Sequence, residues 1–381
     1  MPTTCIVDFE NNPEKVIYAG QLLRGTVQLT LTEEKNVRGV FIQIRGEAYA
    51  HWSKKKGKRT KNYTGEEIYL DEKTYFVGGS EGEVRISPGT YNYTFQCLLP
   101  AGLPSSIEGK FGHIRYTANV VLDIPMWVNK KFVNPFTVIK PINLNDDRIL
   151  REPISKAMRK TFLKCCCCAT DALEIVVRVP VGGYTPGQFV NLEIEVKNKS
   201  NEPVSEFTVE LVQKITHYAN NSRSTRYQEV SEEVGTTSGC DTFQNKNLRV
   251  NFEIPPVPPT DCVSSNIIHI EYAIHITGSV GFCHGDPVIK IPIKIGTYPI
   301  QDGAHGNTVA GTSNVVVIPQ PTAPVIPDNQ TASIYPTALG FQDDPPTYEE
   351  ATRNDNNEVD GDNFKPKYPM FRRQTSYSIG N

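Results

Sequence analysis

Apolar residues in this chain recur at every second position, in one stretch after another, from Leu22 to Ile295. A strand points successive side chains to opposite faces, so this period builds sheets with one dry face and one wet face. Val27, Leu29 and Leu31 share a face, as do Val40, Ile42 and Ile44. Longer stripes follow in Tyr91, Tyr93, Phe95, Cys97 and Leu99, and in Ile114, Tyr116, Ala118, Val120 and Leu122. The pattern returns in Leu192, Ile194 and Val196, in Phe207, Val209 and Leu211, and in Ile268, Ile270, Tyr272, Ile274 and Ile276. In the last run, Ile289 to Ile295, the intervening Lys290, Pro292 and Lys294 make one face wet and Pro292 an edge-strand residue. Many short alternating strands with turn signals between them predict antiparallel β-sandwiches, and no long helical period competes.

A chain of 381 residues is too long for one core. Its halves resemble each other. Tyr18-Ala19-Gly20-Gln21-Leu22-Leu23 reads against Tyr184-Thr185-Pro186-Gly187-Gln188-Phe189-Val190, a glycine turn launching a strand in each case. Pro100 and Pro104 precede Tyr116 as Pro255 and Pro259 precede Tyr272. The order predicts a duplicated sandwich: residues 1–140, a linker over 141–172, and a second sandwich over 173–296. Within the linker, Ile154, Met158 and Phe162 at i, i+4, i+8 suggest a short amphipathic helix beside Lys156, Arg159, Lys160 and Lys164.

A net charge of -3 exerts no global pull toward nucleic acid or membrane. No secretory signal is read at the N-terminus and no apolar run reaches 18 residues. Nine cysteines, four of them consecutive, make a poor disulfide framework, so a reducing, cytoplasmic location is expected. The sequons at Asn62 and Asn92 would then stay unglycosylated. No Gly-x-Ser-x-Gly elbow, His-Glu-x-x-His or phosphate-cradling glycine loop occurs, so no enzyme and no cofactor or metal is expected.

After Gly296 the composition changes. Residues 297–381 carry ten acids against five Lys/Arg and ten prolines, the signature of a disordered acidic tail without a core. In it stands Asp344-Pro345-Pro346-Thr347-Tyr348-Glu349. Adjacent prolines preset an extended left-handed helix that loses little entropy on docking into an aromatic groove. Tyr348, two residues on, can fill a neighbouring pocket, and Pro345, Pro346 and Tyr348 have the geometry of a WW-domain ligand. The plainer reading is a Pro-rich linker that contains a tyrosine; their place in a solvated tail favours the ligand. Lys365-Pro366-Lys367-Tyr368 lacks the first proline and is at best a weak second site, which argues against high-avidity binding to tandem WW domains.

Pro104-Ser105-Ser106-Ile107-Glu108-Gly109, followed by Gly112, Ile114, Arg115 and Tyr116, resembles the N-domain signature of the α-arrestins. Tyr184-Thr185-Pro186-Gly187-Gln188 resembles the opening of their C-terminal arrestin domain, and the likeness spans roughly residues 5–296. It implies two tandem all-β arrestin sandwiches and a non-catalytic adaptor. The implied partners are HECT-type ubiquitin ligases on the tail and membrane receptors or transporters on the body. The cargo would then be ubiquitinated, internalised and sorted at plasma membrane and endosomes. The alternative is a scaffold that binds receptors independently of ubiquitin.

Three further groups are candidates. Cys165, Cys166, Cys167 and Cys168 follow a basic segment and read as an S-acylation site, or as a small apolar plug between sandwiches. Lys54, Lys55, Lys56, Lys58, Arg59 and Lys61 read as the tip of a long hairpin, either solvated or set against anionic lipid or an acidic cargo tail. Arg372-Arg373-Gln374-Thr375-Ser376 matches a basophilic kinase substrate, with Thr375 and Ser376 as acceptors. Cys283-His284 with Cys240 and Cys262 lacks the paired spacing of a metal site.

Overall fold

Two β-sandwiches built on the same plan follow one another along the chain. The computed structural model describes residues 3–164, 168–200, 202–219, 225–240, 245–281, 284–301 and 364–370. Within these, side chains are described except at Lys56, 163, 164, 168, 169 and 225–240. The first half comprises β1 (Thr4–Phe9), β2 (Val16–Tyr18), β3 (Leu22–Leu31), β4 (Lys35–Val37), β5 (Gly39–Lys56) and β6 (Arg59–Gly78). It continues with β7 (Val84–Ile86), β8 (Gly89–Leu98), β9 (Ile107–Gly109), β10 (Gly112–Asp123) and β11 (Lys130–Ile139). A three-stranded sheet β1-β3-β8 faces a sheet ordered β2-β11-β10-β5-β6, with β9 added on β10. The expected stripes form the interior: Val27, Leu29, Val40, Ile42, Ile114, Tyr116, Ala118 and Val120 are all buried.

The second half comprises β12 (Ile154–Lys160), β13 (Leu163–Lys164), β14 (Cys168–Ala169), β15 (Leu173–Val179), β16 (Gly183–Tyr184) and β17 (Phe189–Asn198). Then come β18 (Val204–Tyr218), β19 (Thr225–Cys240), β20 (Asn245–Glu253), β21 (Ile268–Val280) and β22 (Val288–Ile295). Sheet β12-β15-β17-β20 faces sheet β16-β22-β21-β18-β19. Ile194, Phe207, Val209, Tyr272, Ile274 and Ile291 fill the space between. Pro292 behaves as an edge residue should. Lys290 O accepts from Lys156 Nζ and Lys294 N donates to Gly182 O, so alternate residues of β22 bond outward, and Pro292 occupies the outward position that needs no N–H.

One expectation is overturned. Ile154 to Lys160 is not helical but is strand β12, antiparallel to β15 from Ile154↔Val179 to Lys160↔Leu173. A spacing of four residues fits two strand periods as well as one helical turn, and an unfilled sheet edge decided the matter. The stretch 141–172 therefore contributes an edge strand to the second sandwich, after two short 3-10 turns at Leu144–Asp146 and Arg148–Arg151.

The duplication extends to individual backbone and side-chain bonds. Gly20 and Gly187 both take φ +87, a conformation that disfavours any Cβ. Gly20 N donates to Leu99 O as Gly187 N donates to Ile254 O, and the amides of Leu99 and Ile254 answer to Gln21 O and Gln188 O. The Tyr116 hydroxyl donates to Pro104 O at 2.7 Å, and the Tyr272 hydroxyl to Pro258 O at 2.7 Å. Ser106 Oγ accepts from Val138 N, and Thr260 Oγ1 from Ile295 N.

Candidate functional site

The sandwiches meet along a seam where polar side chains from distant parts of the chain are paired. On the first sandwich, β6 supplies Glu67 and Tyr69, whose spacing of two places both on one face. Glu67 Oε2 accepts from Asn266 N at 2.9 Å and Oε1 from Asn266 Nδ2 at 2.5 Å. The Tyr69 hydroxyl donates to Ser265 Oγ at 2.7 Å. Burial of that phenol pushes its pKa well above the ordinary value, so it remains a donor. Gly65 lies one strand-step earlier, where an added Cβ would stand 2.7 Å from Tyr218 O; only glycine lets the two backbones approach so closely.

Beside it, Lys140 reaches the Asp261 carboxylate at 3.3 Å and also donates to Ser264 Oγ. Asp261 is almost wholly buried. Burial raises its pKa, but amide bonds from Val263 and Ser264, the Ser264 hydroxyl and the Lys140 charge outweigh that, so it stays ionised. His217 of β18 is fully buried next to Phe111, ring centroids 5.9 Å apart, with neither ring nitrogen partnered among the described residues. Burial pushes its pKa down to about 4.

A second feature sits at the border of this seam. Residues 364–370, in the expected tail, lie extended against the first sandwich, with Lys365 and Lys367 outward and Phe364, Pro366 and Tyr368 turned in. Lys367 N donates to Thr137 Oγ1 at 3.1 Å, Lys367 Nζ pairs with Glu14, and the Tyr368 hydroxyl donates to Ser106 O at 3.1 Å. Burial, with the Glu108 charge adding, holds the Tyr368 phenol far above its usual range, and Tyr368 in turn helps raise Tyr272. Tyr368 is engaged by the body in this structure and is not presented as a WW-domain ligand.

The basic cluster is where the sequence placed it. β5 and β6 pair to Lys56↔Arg59 and turn at Gly57, whose φ of +63 suits a two-residue hairpin turn. Lys55, Lys58, Arg59 and Lys61 are exposed, while Lys54 and Lys61 stand 5.7 and 5.1 Å from the Tyr63 ring centroid, itself stacked on buried Trp52. The tip is thus a row of cations on a braced aromatic stem. Pro345, Pro346 and Tyr348, Cys165, Cys166 and Cys167, and Thr375 and Ser376 lie outside the described residues, as does the side chain of Cys168.

Periodicity found the strands and the tip. It missed the seam and the docked tail segment, which depend on single residues brought together from distant parts of the chain. It also missed the β10–β11 turn, where Met126, Trp127 and Val128 are exposed at 103%, 78% and 81%. Two surface clefts offer little chemistry. The one that holds a thiol contains Cys97, which burial and Glu72 push up to about 11, so it stays protonated at neutral pH.

Comparison with known proteins agrees with this architecture. The family described as arrestin (or S-antigen), N-terminal domain matches residues 5–145, and its C-terminal domain counterpart matches residues 169–300. Arrestin domain-containing protein 17 of Caenorhabditis elegans is 27% identical over 76% of this chain and 69% of its own length. Arrestin domain-containing protein 1 of Rattus norvegicus is 22% identical over 86% of this chain and 72% of its own. Arrestin domain-containing protein 4 of Mus musculus is 25% identical over 84% of this chain and 79% of its own.

Proposed function

This chain belongs to the arrestin-domain-containing family, the α-arrestins, and from that premise we propose that it is an adaptor joining membrane cargo to WW-domain ubiquitin ligases of the HECT type. An arrestin-like adaptor or scaffold role comes with the two domains themselves. The single observation that carries the finer reading is the order of parts: two arrestin sandwiches followed by Pro345-Pro346-Thr347-Tyr348. The prolines present flat rings to a WW groove and Tyr348 enters the next pocket through its hydroxyl-bearing ring. The flanking Asp343, Asp344, Glu349 and Glu350 keep the motif solvated and complement basic WW rims.

Cargo is engaged by the body. The exposed cations of the β5–β6 tip suit an acidic or phosphorylated cargo tail at an anionic membrane face. Acylation of Cys165 to Cys168 would add a membrane contact, and phosphate on Thr375 or Ser376 would offset Arg372 and Arg373. The protein then works from the cytoplasm at plasma membrane and endosomes, delivering cargo for ubiquitination and sorting.

The test is co-purification of HECT ligases with the intact chain and with Tyr348→Ala. The proposal expects the variant to lose the ligase while proximity labelling still finds the same membrane proteins. Ligase retained by the variant refutes the motif as the recruiting element and leaves the ubiquitin-independent scaffold as the better account.

A further inference from the structure

The way residues 364–370 sit on the first sandwich is the geometry of a ligand in a site. From Phe364 to Tyr368 exposed and half-buried side chains alternate, the period of a strand, and Pro369 and Met370 are half-buried as well. Lys365 and Tyr368 each precede a proline, which biases both toward extended backbone before docking and lowers the entropy lost. The receiving groups are built into the sandwich: Thr137 and Ser106 are buried, the Ser106 amide and hydroxyl are bonded to the Val138 backbone, and Tyr116 holds Pro104 O two residues earlier, so the Ser106 carbonyl sits on an anchored turn. Thr137 is 2% exposed with its hydroxyl turned to the peptide backbone, and such a group carries a penalty if left unpaired. Glu14 adds a charge that selects a cation one residue before the tyrosine.

We propose that the slot formed by Glu14, Thr137 and Ser106 is a docking site for an extended peptide with a basic residue, tyrosine and proline in succession, and that the chain's own residues 364–370 are its ligand. The site is independent of the WW-ligand reading of Pro345 to Tyr348 and stands or falls separately. While it is filled, Tyr368 is withheld from kinases and WW domains alike. A phosphate on a released Tyr368 bars its return, because a dianion would face the Ser106 carbonyl and Glu108. Filling in cis also shields the slot. A tethered ligand acts at an effective concentration in the millimolar range, so a free peptide of ordinary affinity competes poorly with it.

The experiment uses the full-length chain and a fluorescein-labelled synthetic peptide of residues 362–372. Wild-type chain should bind it at least tenfold more weakly than the Tyr368→Ala variant, whose own segment no longer fills the slot. On that variant, adding Thr137→Val should weaken the peptide several-fold, and a phosphotyrosine peptide should bind at least tenfold more weakly than the plain one. Tryptic cleavage after Lys367, followed by mass spectrometry, gives a second readout that needs no change in the peptide bond attacked. It should speed up several-fold in the otherwise wild-type Thr137→Val chain. Equal peptide binding by wild type and Tyr368→Ala, or binding by neither, overturns the proposal. So does unchanged cleavage in Thr137→Val.

Discussion

The same turn occurs in both sandwiches, and its two copies have been put to different use. Ser106 in the first and Thr260 in the second hold the same bonds to Val138 and Ile295, and each follows a proline carbonyl bonded by a buried tyrosine. The next residue pairs across to the strand two places before that tyrosine. In the first sandwich it is Ile107, buried and apolar, which opens β9 opposite Ile114. In the second it is Asp261, opposite Ile270, buried and ionised against Lys140. Backbone bonding keeps the turn; the side chain decides whether it serves a core or a seam.

The largest effect that separates the copies should come from Lys140→Met. It removes the cation from a buried carboxylate, and on the order of 3 kcal/mol should be lost in denaturant unfolding. Ile107→Val at the equivalent site should cost only about 1 kcal/mol. Equal losses would mean that Asp261 is no more than a capping residue.

Acid should act next, and also on the seam alone. His217 has a folded pKa of about 4 against an ordinary 6.5, so its contribution is present above pH 6.5 and is lost as pH falls toward 4. The loss should reach about 2 kcal/mol at pH 5 relative to pH 8, and His217→Phe should flatten the melting profile in that window. Asp261 does not confuse the result: its folded pKa lies below 3.8, so its contribution fades only under more acid conditions. A wild-type profile flat from pH 8 to 5 would place His217 in contact with water.

The smallest predicted effect sharpens the likeness rather than the difference. Tyr116→Phe strands one buried carbonyl and should cost about 1 kcal/mol. Tyr272→Phe strands Pro258 O and also the Gln213 amide at 2.7 Å, and should cost more, about 2 kcal/mol by the same denaturant midpoint measurement. The reverse order would show that the two corners are not equivalent.

The strands were legible because half-buried sheets write their burial into every second residue, as from Leu23 to Leu31. The duplication was legible because Gly20 and Gly187 must be glycine-like at the same step of the same turn. Ile154 to Phe162 misled because four residues is a common multiple of strand and near-helical spacing. The seam was not legible at all. Glu67 with Asn266, or Lys140 with Asp261, are single polar residues far apart in sequence, and nothing local marks such partners. Phe364, Pro366 and Tyr368 carried a short alternation, but three positions in a Pro-rich tail do not stand out until a receiving surface is known.

The central claim is that this arrestin body presents one WW ligand, at Pro345 to Tyr348, while Tyr368 is reserved for the body itself. Calorimetric titration of the full-length chain with an isolated WW domain from a HECT ligase tests it most directly. The account predicts one site per chain, weakened at least tenfold by Tyr348→Ala and unchanged by Tyr368→Phe. Two sites in the wild type, or full binding by Tyr348→Ala, would contradict it.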